Sequence, residues 1–363
     1  MSALFEPITL RSLTVPNRVW MPPMCMYSAQ PSGPEAGVAS DFHLAHYAAR
    51  AAGGAGLLIV ESTAVSPEGR ISPYDLGLWN DRQQESLARI AAQVALLGAV
   101  PAIQLGHAGR KASTDRPWDG GAPLPAEGSG WQPVGPSTAP FGSNPSPLEL
   151  TADEIREVVR SFAAAAERAL AAGFKAVEIH GAHGYLTHSF LSPASNHRTD
   201  EYGGSFENRT RFALEVVRAV RAVWPEELPL LFRVSATDWL EGREGWTAEE
   251  TVRLAKELKE AGVDLIDVST GGNVKEAVIP VAPGYQVPFA AQIRTGAGVA
   301  TSAVGLITEP VQAEKIIVDG QADVVLLGRE LLRNPYWPRQ AARELGGERR
   351  WPVQYGYVVG SRG

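Results

Sequence analysis

The chain has 363 residues, enough for a large core within one domain, and 33 Lys plus Arg against 40 Asp plus Glu leave a net charge of −7. That balance, with no basic stripe, excludes a nucleic-acid surface and disfavours anionic membranes. A single cysteine, Cys25, excludes an internal disulfide, a Cys-based iron–sulfur cluster and a Cys-rich zinc site. There is no run of about 18 apolar residues and no charged-then-apolar leader, so a soluble, uncleaved, cytoplasmic protein is expected.

In chain order, the residues before Val19 read as a short hairpin closing one end of the fold, and Val19–Met24 as a first strand. Five later segments end a helix-like stretch at glycine, run through an apolar strand and finish on a polar or glycine turn: Gly53–Thr63, Gly98–His107, Gly173–His180, Gly262–Thr270 and Gly320–Arg329. Leu230–Val234 and Val299–Ala303 bring the strands to eight. Helical patterns fill the gaps at Asp81–Leu97, Thr151–Ala172, Glu207–Val223, Thr247–Ala261 and Glu309–Val318. Thr151 and Thr247 read as N-caps ahead of acidic first turns. Near-continuous apolar strands alternating with helices mean a parallel sheet covered by helices. Eight such units predict an α/β fold, a single (β/α)8 TIM barrel spanning 1–363. The dinucleotide fingerprint G-x-G-x-x-G is missing after the first strand, which weakens an open doubly wound sheet.

Two segments depart from the repeat. Residues 106–150, after strand 3, are rich in Pro, Gly and Ser and too long for an ordinary connection, which predicts a lid or cap. Residues 351–363 read as an irregular tail that docks at a subunit interface.

In such a barrel the working residues sit at the carboxyl ends of several strands. Cys25 and Tyr27 follow the first; Glu61, Ser62 and Thr63 the second; Gln104, His107, Arg110 and Lys111 the third. After the fourth, His180, His183 and Tyr185 arrive together, separated by Gly181 and Gly184. Three polar rings among glycines just past a strand suit a catalytic site, with a buried histidine pair or an H-x-x-H metal site as the plainer readings. Arg233 closes the fifth strand. Gly305 after the seventh, and Gly328 with Arg329 after the eighth, suggest a phosphate corner. A phosphate there belongs to a sugar-phosphate substrate or to a flavin mononucleotide. A Schiff-base aldolase needs a lysine on an inner strand, whereas Lys111 lies in a loop and Lys175 opens a strand at the wrong end. Flavin needs amide and cationic partners for its pyrimidine edge, which Gln104 and Arg233 could supply.

The motifs P-P-M-C-x-Y, V-E-x-T-A-V-x-P-E-G-R, Q-L-x-H-A-G-R-K-A, H-G-A-H-G-Y-L, the run Ser192–Arg209 and V-G-L-I-T together resemble the old yellow enzyme family of flavin-dependent ene-reductases. The likeness is greatest to the bacterial branch with a cysteine beside the flavin, and it runs in order from about Leu4 to Tyr355. The resemblance implies a (β/α)8 barrel, non-covalent FMN, reduction by NADPH or NADH, and hydride transfer to electron-poor alkenes.

It also implies roles. His180 and His183 would hold the substrate carbonyl oxygen, an oxyanion-hole arrangement. Tyr185 would protonate the α-carbon, since a phenol with a pKa near ~10 stays protonated at neutral pH. Arg233 would face flavin N1 and the C2 carbonyl, and Gln104 the pyrimidine amide edge. Pro22, Pro23, Met24 and Cys25 would lie along the isoalloxazine, with Cys25 tuning the flavin and touching substrate instead of acting as a nucleophile. Tyr27 would line the substrate pocket; Gly305, Gly328 and Arg329 would take the phosphate.

Two departures stand out. Ser62 stands where the family commonly has alanine beside the flavin, adding a hydroxyl. The branch often carries an arginine after Q-Y-x that reaches a neighbour's site; here Gln354-Tyr355-Gly356 is followed by Tyr357, expected to supply an aromatic wall in its place. His43 and His46 share a face of the first helix and read as packing or surface residues, while His188 and His197 stay unassigned. No metal and no nucleic acid is expected, and a homodimer or homotetramer is. The alternatives are a sugar-phosphate aldolase or isomerase, and a non-catalytic flavin-binding protein.

Overall fold

A computed structural model describes residues 2–347 and 351–359. Eight parallel strands close into a barrel in sequence order: β1 (Val19–Met21), β2 (Leu57–Ala64), β3 (Val100–Gly106), β4 (Ala176–Gly181), β5 (Leu230–Ser235), β6 (Leu265–Ser269), β7 (Ala300–Ala303) and β8 (Val324–Leu326), the last pairing with the first. Around them run α1 (Asp41–Ala52), α2 (Asp81–Leu96), α3 (Ala152–Ala171), the short α4 (Leu186–Leu191), α5 (Phe206–Val223), α6 (Ala248–Glu260), α7 (Val287–Ala297), α8 (Pro310–Val318), α9 (Arg329–Arg333), α10 (Trp337–Leu345) and α11 (Val353–Val359). Thr151 and Thr247 cap α3 and α6 in reciprocal boxes with Glu154 and Glu250. Gly173 takes φ +95° after α3, a left-handed stop that lets β4 begin three residues later. Among the described residues no helix is long and apolar enough to cross a membrane.

The inward faces of the strands explain where the site lies. Side chains alternate along a strand, so Ala102, Ala176, Leu231 and Leu265 share the barrel interior with Trp20, Leu57, Ile59, Val324 and Leu326. The antiparallel hairpin of Ile8–Leu10 and Leu13–Val15 adds Leu10 and Val15 to this cluster, stopping the floor as expected. On β3 to β7 the next inward positions are polar: Gln104, Glu178, Arg233, Asp267 and Ser302, all buried. The apolar layer anchors the barrel; the polar layer faces its carboxyl-end mouth.

Three expectations are corrected. The first strand ends at Met21, not Met24, because Pro22 and Pro23 bring no N–H to the ladder. The tail is helical over Val353–Val359, its first turn built on the Pro352 carbonyl, which accepts from Tyr355 N–H at 2.9 Å and Gly356 N–H at 2.8 Å; residues 360–363 lie outside the described residues. Helices α4, α7, α9 and α10 go beyond the expected set. Helix α7 buries only Val287, Ala290 and Ile293, a stripe that small residues dilute in the sequence.

Candidate active site

The H-G-A-H-G-Y-L stretch leaves β4 at Gly181 and re-enters helix at Leu186. The turn is forced into left-handed backbone at both His183 (φ +60°) and Gly184 (φ +74°). For His183 that geometry is strained, so the surroundings must hold it. They do: His183 N–H donates to Ser235 Oγ at 2.9 Å, its carbonyl accepts from Lys111 Nζ at 2.8 Å, and its Nε2 lies 2.7 Å from Ser269 Oγ. Gly184 N–H donates to His188 Nδ1 at 2.9 Å. The result packs three rings edge to face, with His180 5.3 Å from His183 and 4.9 Å from Tyr185 between centroids.

Electrostatics fixes the protonation of this trio. Burial, then the Arg233 charge, holds both imidazoles well below their usual range, so they are neutral and each retains one N–H. Burial pushes the Tyr185 phenol well above its ordinary value, so it keeps its proton. Burial likewise raises Cys25, with Asp75 and Glu61 adding to it, and the sulfur is held as a thiol. A thiol is a poorer nucleophile than a thiolate.

Cys25, Tyr27, Tyr185 and Trp131 pack against Ile71, Ala108 and Ala112 at the barrel mouth. Tyr27 meets Trp118 edge to face at 6.0 Å. Ser62 lies beside the Gly106 backbone: a Cβ on Gly106 would stand 2.7 Å from Ser62 Oγ. Gln104 and Arg233 occupy the polar layer below. Arg233 is the cross-strand partner of His180, so the two share a face, and Arg233 reaches the Pro23 carbonyl at 3.5 Å and the Asp267 carboxylate at 3.0 Å.

One cavity runs from Arg233 past Gly305 and Gly328 to Arg329. Glycine is required at 305, where φ is +120° and a Cβ would meet Gln286 and Tyr285 at 3.0 Å. Pro22 and Met24 stand over Gly328 at 3.7 and 3.4 Å from an ideal Cβ position. Arg233 at one end of this cavity and Arg329 with two glycines at the other, together with the buried Gln104 amide and with Pro22 and Met24 over Gly328, form a donor set that fits a planar ring with an anionic tail.

Tyr357 is the one proposed residue that stands apart. It is 79% exposed on α11. The preceding Trp351–Gln354 line a cavity with Asn17, Gly54 and Gly98, which lie ahead of β1, β2 and β3, at the end of the barrel away from the mouth.

Against this geometry the comparisons are decisive. The model of the NADH:flavin oxidoreductase / NADH oxidase family matches residues 3–348. The chain belongs to that family, the old yellow enzymes. As an old yellow enzyme it is similar to the NADPH dehydrogenase of Listeria monocytogenes serotype 4a, 50% identical over 98% of each chain, and to that of Bacillus licheniformis, 50% identical over 97% of each. Among solved structures it resembles morphinone reductase (TM-score 0.78, 30% identity, 97% of this chain and 91% of that one). It also resembles the old yellow enzyme homologue from Zymomonas mobilis (TM-score 0.77, 29% identity, 94% and 93%). This old yellow enzyme is therefore a flavin- and NAD(P)H-linked oxidoreductase on a closed parallel barrel.

The structure gives roles to buried groups to which the motifs assigned none. Glu61 accepts from Met26 N–H at 2.9 Å and from Tyr47 Oη at 2.9 Å, with His43 Nε2 3.7 Å away, so it ties the Cys25 loop to α1. His43 is thus a packed, buried residue. Glu178 and Asp267 lie two positions before His180 and Ser269; alternation alone would have placed them inside the barrel.

Proposed function

We propose that this enzyme is an FMN-dependent NAD(P)H oxidoreductase reducing the activated C=C bond of α,β-unsaturated carbonyl compounds and related nitro compounds. The observation that carries the reading is the pair of neutral imidazoles and the protonated phenol at the mouth, with His180 paired across the strands to Arg233. The relatives named NADPH dehydrogenase and the likeness to morphinone reductase support it. FMN, held non-covalently and reduced by NADPH or NADH, would supply a hydride to the alkene β-carbon.

The chain's own residues do the rest. Gln104 and Arg233 would hold the pyrimidine edge, Pro22, Pro23, Met24, Cys25 and Ser62 would lie along the ring, and Gly305, Gly328 and Arg329 would take the phosphate. His180 and His183 each aim one N–H at the substrate carbonyl oxygen and stabilise the charge that develops there, about 3 kcal/mol per donor. Because both are neutral they polarise without surrendering a proton. Tyr185 delivers the proton to the α-carbon, and its high pKa keeps it loaded across the working pH range. Tyr27 and Cys25 bound the substrate. Tyr357 belongs to a neighbouring subunit's site in a homodimer or homotetramer.

A Schiff-base aldolase is disfavoured: among the described residues no lysine stands on a barrel strand. Lys111 Nζ is occupied by the carbonyls of His183 and Gly272 at 2.8 and 3.0 Å. The test is optical. Protein purified with FMN should be yellow, bleach anaerobically with NADPH and recolour on adding 2-cyclohexenone. Flavin that neither NADPH nor NADH bleaches, or that cyclohexenone does not recolour, would overturn the reading.

A further inference from the structure

Five side chains from five consecutive strands meet inside the barrel beneath the mouth. Gln104 Nε2 on β3 donates to Glu178 Oε1 on β4 at 2.8 Å. Arg233 Nε on β5 stands 3.0 Å from Asp267 Oδ2 on β6, and Ser302 Oγ on β7 donates to Asp267 Oδ1 at 2.9 Å. The carboxyls of Glu178 and Asp267 lie close enough for each to shift the protonation of the other. Glu178 and Asp267 are fully shielded from solvent.

The charges do not balance as drawn. Two carboxylates against one guanidinium leave a net negative charge in a dry interior, and adjacent buried carboxylates do not both ionise. The hydrogen bonds agree: neither Glu178 Oε2 nor Asp267 Oδ2 receives an aligned donor. One hydrogen held between the two carboxyls lowers their summed charge and supplies a donor that neither now has.

We propose that Glu178 and Asp267 share a single proton, with Glu178 the neutral donor, and that Glu178 is thereby the positioning residue for Gln104. The carboxyl oxygen of Glu178 takes up the Gln104 N–H and leaves the amide oxygen as the face presented to a ligand. Asp267, relieved of repulsion, stays ionised against Arg233. Asp267 faces the Arg233 guanidinium at 3.0 Å and accepts from Ser302, whereas Glu178 has only the neutral Gln104 amide; that asymmetry assigns the proton to Glu178, whose carboxyl burial also raises. The consequence is specific to the reading above, on which it rests: a planar ring with an N–H opposite the Gln104 oxygen and a carbonyl or anionic nitrogen opposite Arg233 is selected.

The test reads the proton directly. Infrared spectra of the protein as purified, labelled with 13C-glutamate, should show one protonated glutamate carbonyl band at neutral pH. Glu178→Gln should remove it. A wild-type spectrum without that band, or a band that survives in Glu178→Gln, overturns the shared proton. For the positioning role, Glu178→Leu should weaken FMN at least about tenfold, and Glu178→Gln, whose amide can donate to Asp267 in the proton's place, should restore affinity to within about threefold. Glu178→Gln binding FMN as poorly as Glu178→Leu overturns it, and if the leucine variant does not fold, a glutamine variant about tenfold weaker than wild type does the same. Wild-type protein with no affinity for FMN would sink the functional reading and the positioning role, while the infrared measurement still decides the proton.

Discussion

The backbone N–H of Gly184 donates to Nδ1 of the buried His188 at 2.9 Å, while Nε2 of the same ring lies 3.1 Å from Asp238 Oδ1. Gly184 sits between His183 and Tyr185, so a histidine outside the mouth fixes the turn that aims two working side chains. The carboxylate selects the tautomer: with hydrogen on Nε2, the lone pair of Nδ1 is free to accept. His188→Leu should leave the Gly184 N–H without an acceptor, destabilising the fold by roughly 1–3 kcal/mol. Released strain at His183 should also lower alkene turnover by about tenfold or more, because misplaced donors lose their aim. Denaturant titration beside steady-state kinetics checks both; unchanged turnover in a destabilised variant would reduce His188 to packing.

Tyr185→Phe separates the two half-reactions. Losing the proton donor should slow flavin reoxidation by cyclohexenone about 10²–10⁴-fold while NADPH still bleaches the flavin. Anaerobic stopped-flow absorbance resolves them. Reoxidation at the wild-type rate would remove Tyr185 from the mechanism.

Asp75 gives a stability signature with a definite sign. Its Oδ2 accepts Ile71 N–H at 2.7 Å, yet burial pushes its pKa up to about 8. The folded state then binds a proton that the unfolded chain, with an ordinary aspartate near ~3.9, has already released. Stability from this group is full below pH ~4 and is lost as pH rises towards 8, by at most about 1.4 kcal/mol per pH unit. Asp75→Asn should therefore flatten the decline in stability between those limits and be most stabilising at the alkaline end. Parallel pH-dependent denaturation of the two proteins would refute this assignment.

Gly181→Ala probes the junction of strand and site. A Cβ there would fall 2.2 Å from Phe232 Cε1 and 2.8 Å from the Arg233 carbonyl. Both belong to the barrel wall and have little room to retreat. Overpacking of this kind costs about 1–3 kcal/mol, and it should also shift Arg233 enough to lower FMN content. Thermal melts and bound-flavin absorbance measure the pair; full flavin content with a normal melt would show that the wall can yield.

The repeat of glycine, apolar strand and polar turn was enough to predict the closed barrel, because strand and helix periods are local properties of the chain. The floor hairpin, the N-caps at Thr151 and Thr247, and the cluster of His180, His183 and Tyr185 were legible for the same reason. Pro22 and Pro23 carried the signal that ends β1 at Met21, and reading them as breakers would have found it.

What the sequence by itself determined is which residues alternate inward and which turns end each strand, since both follow from neighbours a few positions apart. Only the tertiary structure decided that Glu178 meets Asp267 and Gln104, that Asp238 reaches His188, and that Glu61 ties Met26 to Tyr47. Those partners lie on different strands, helices and loops, and no local period records a charge that is felt only once water has been excluded. The protonation of the imidazoles and the phenol belongs to the folded barrel, because burial sets it and at the imidazoles the Arg233 guanidinium adds to it.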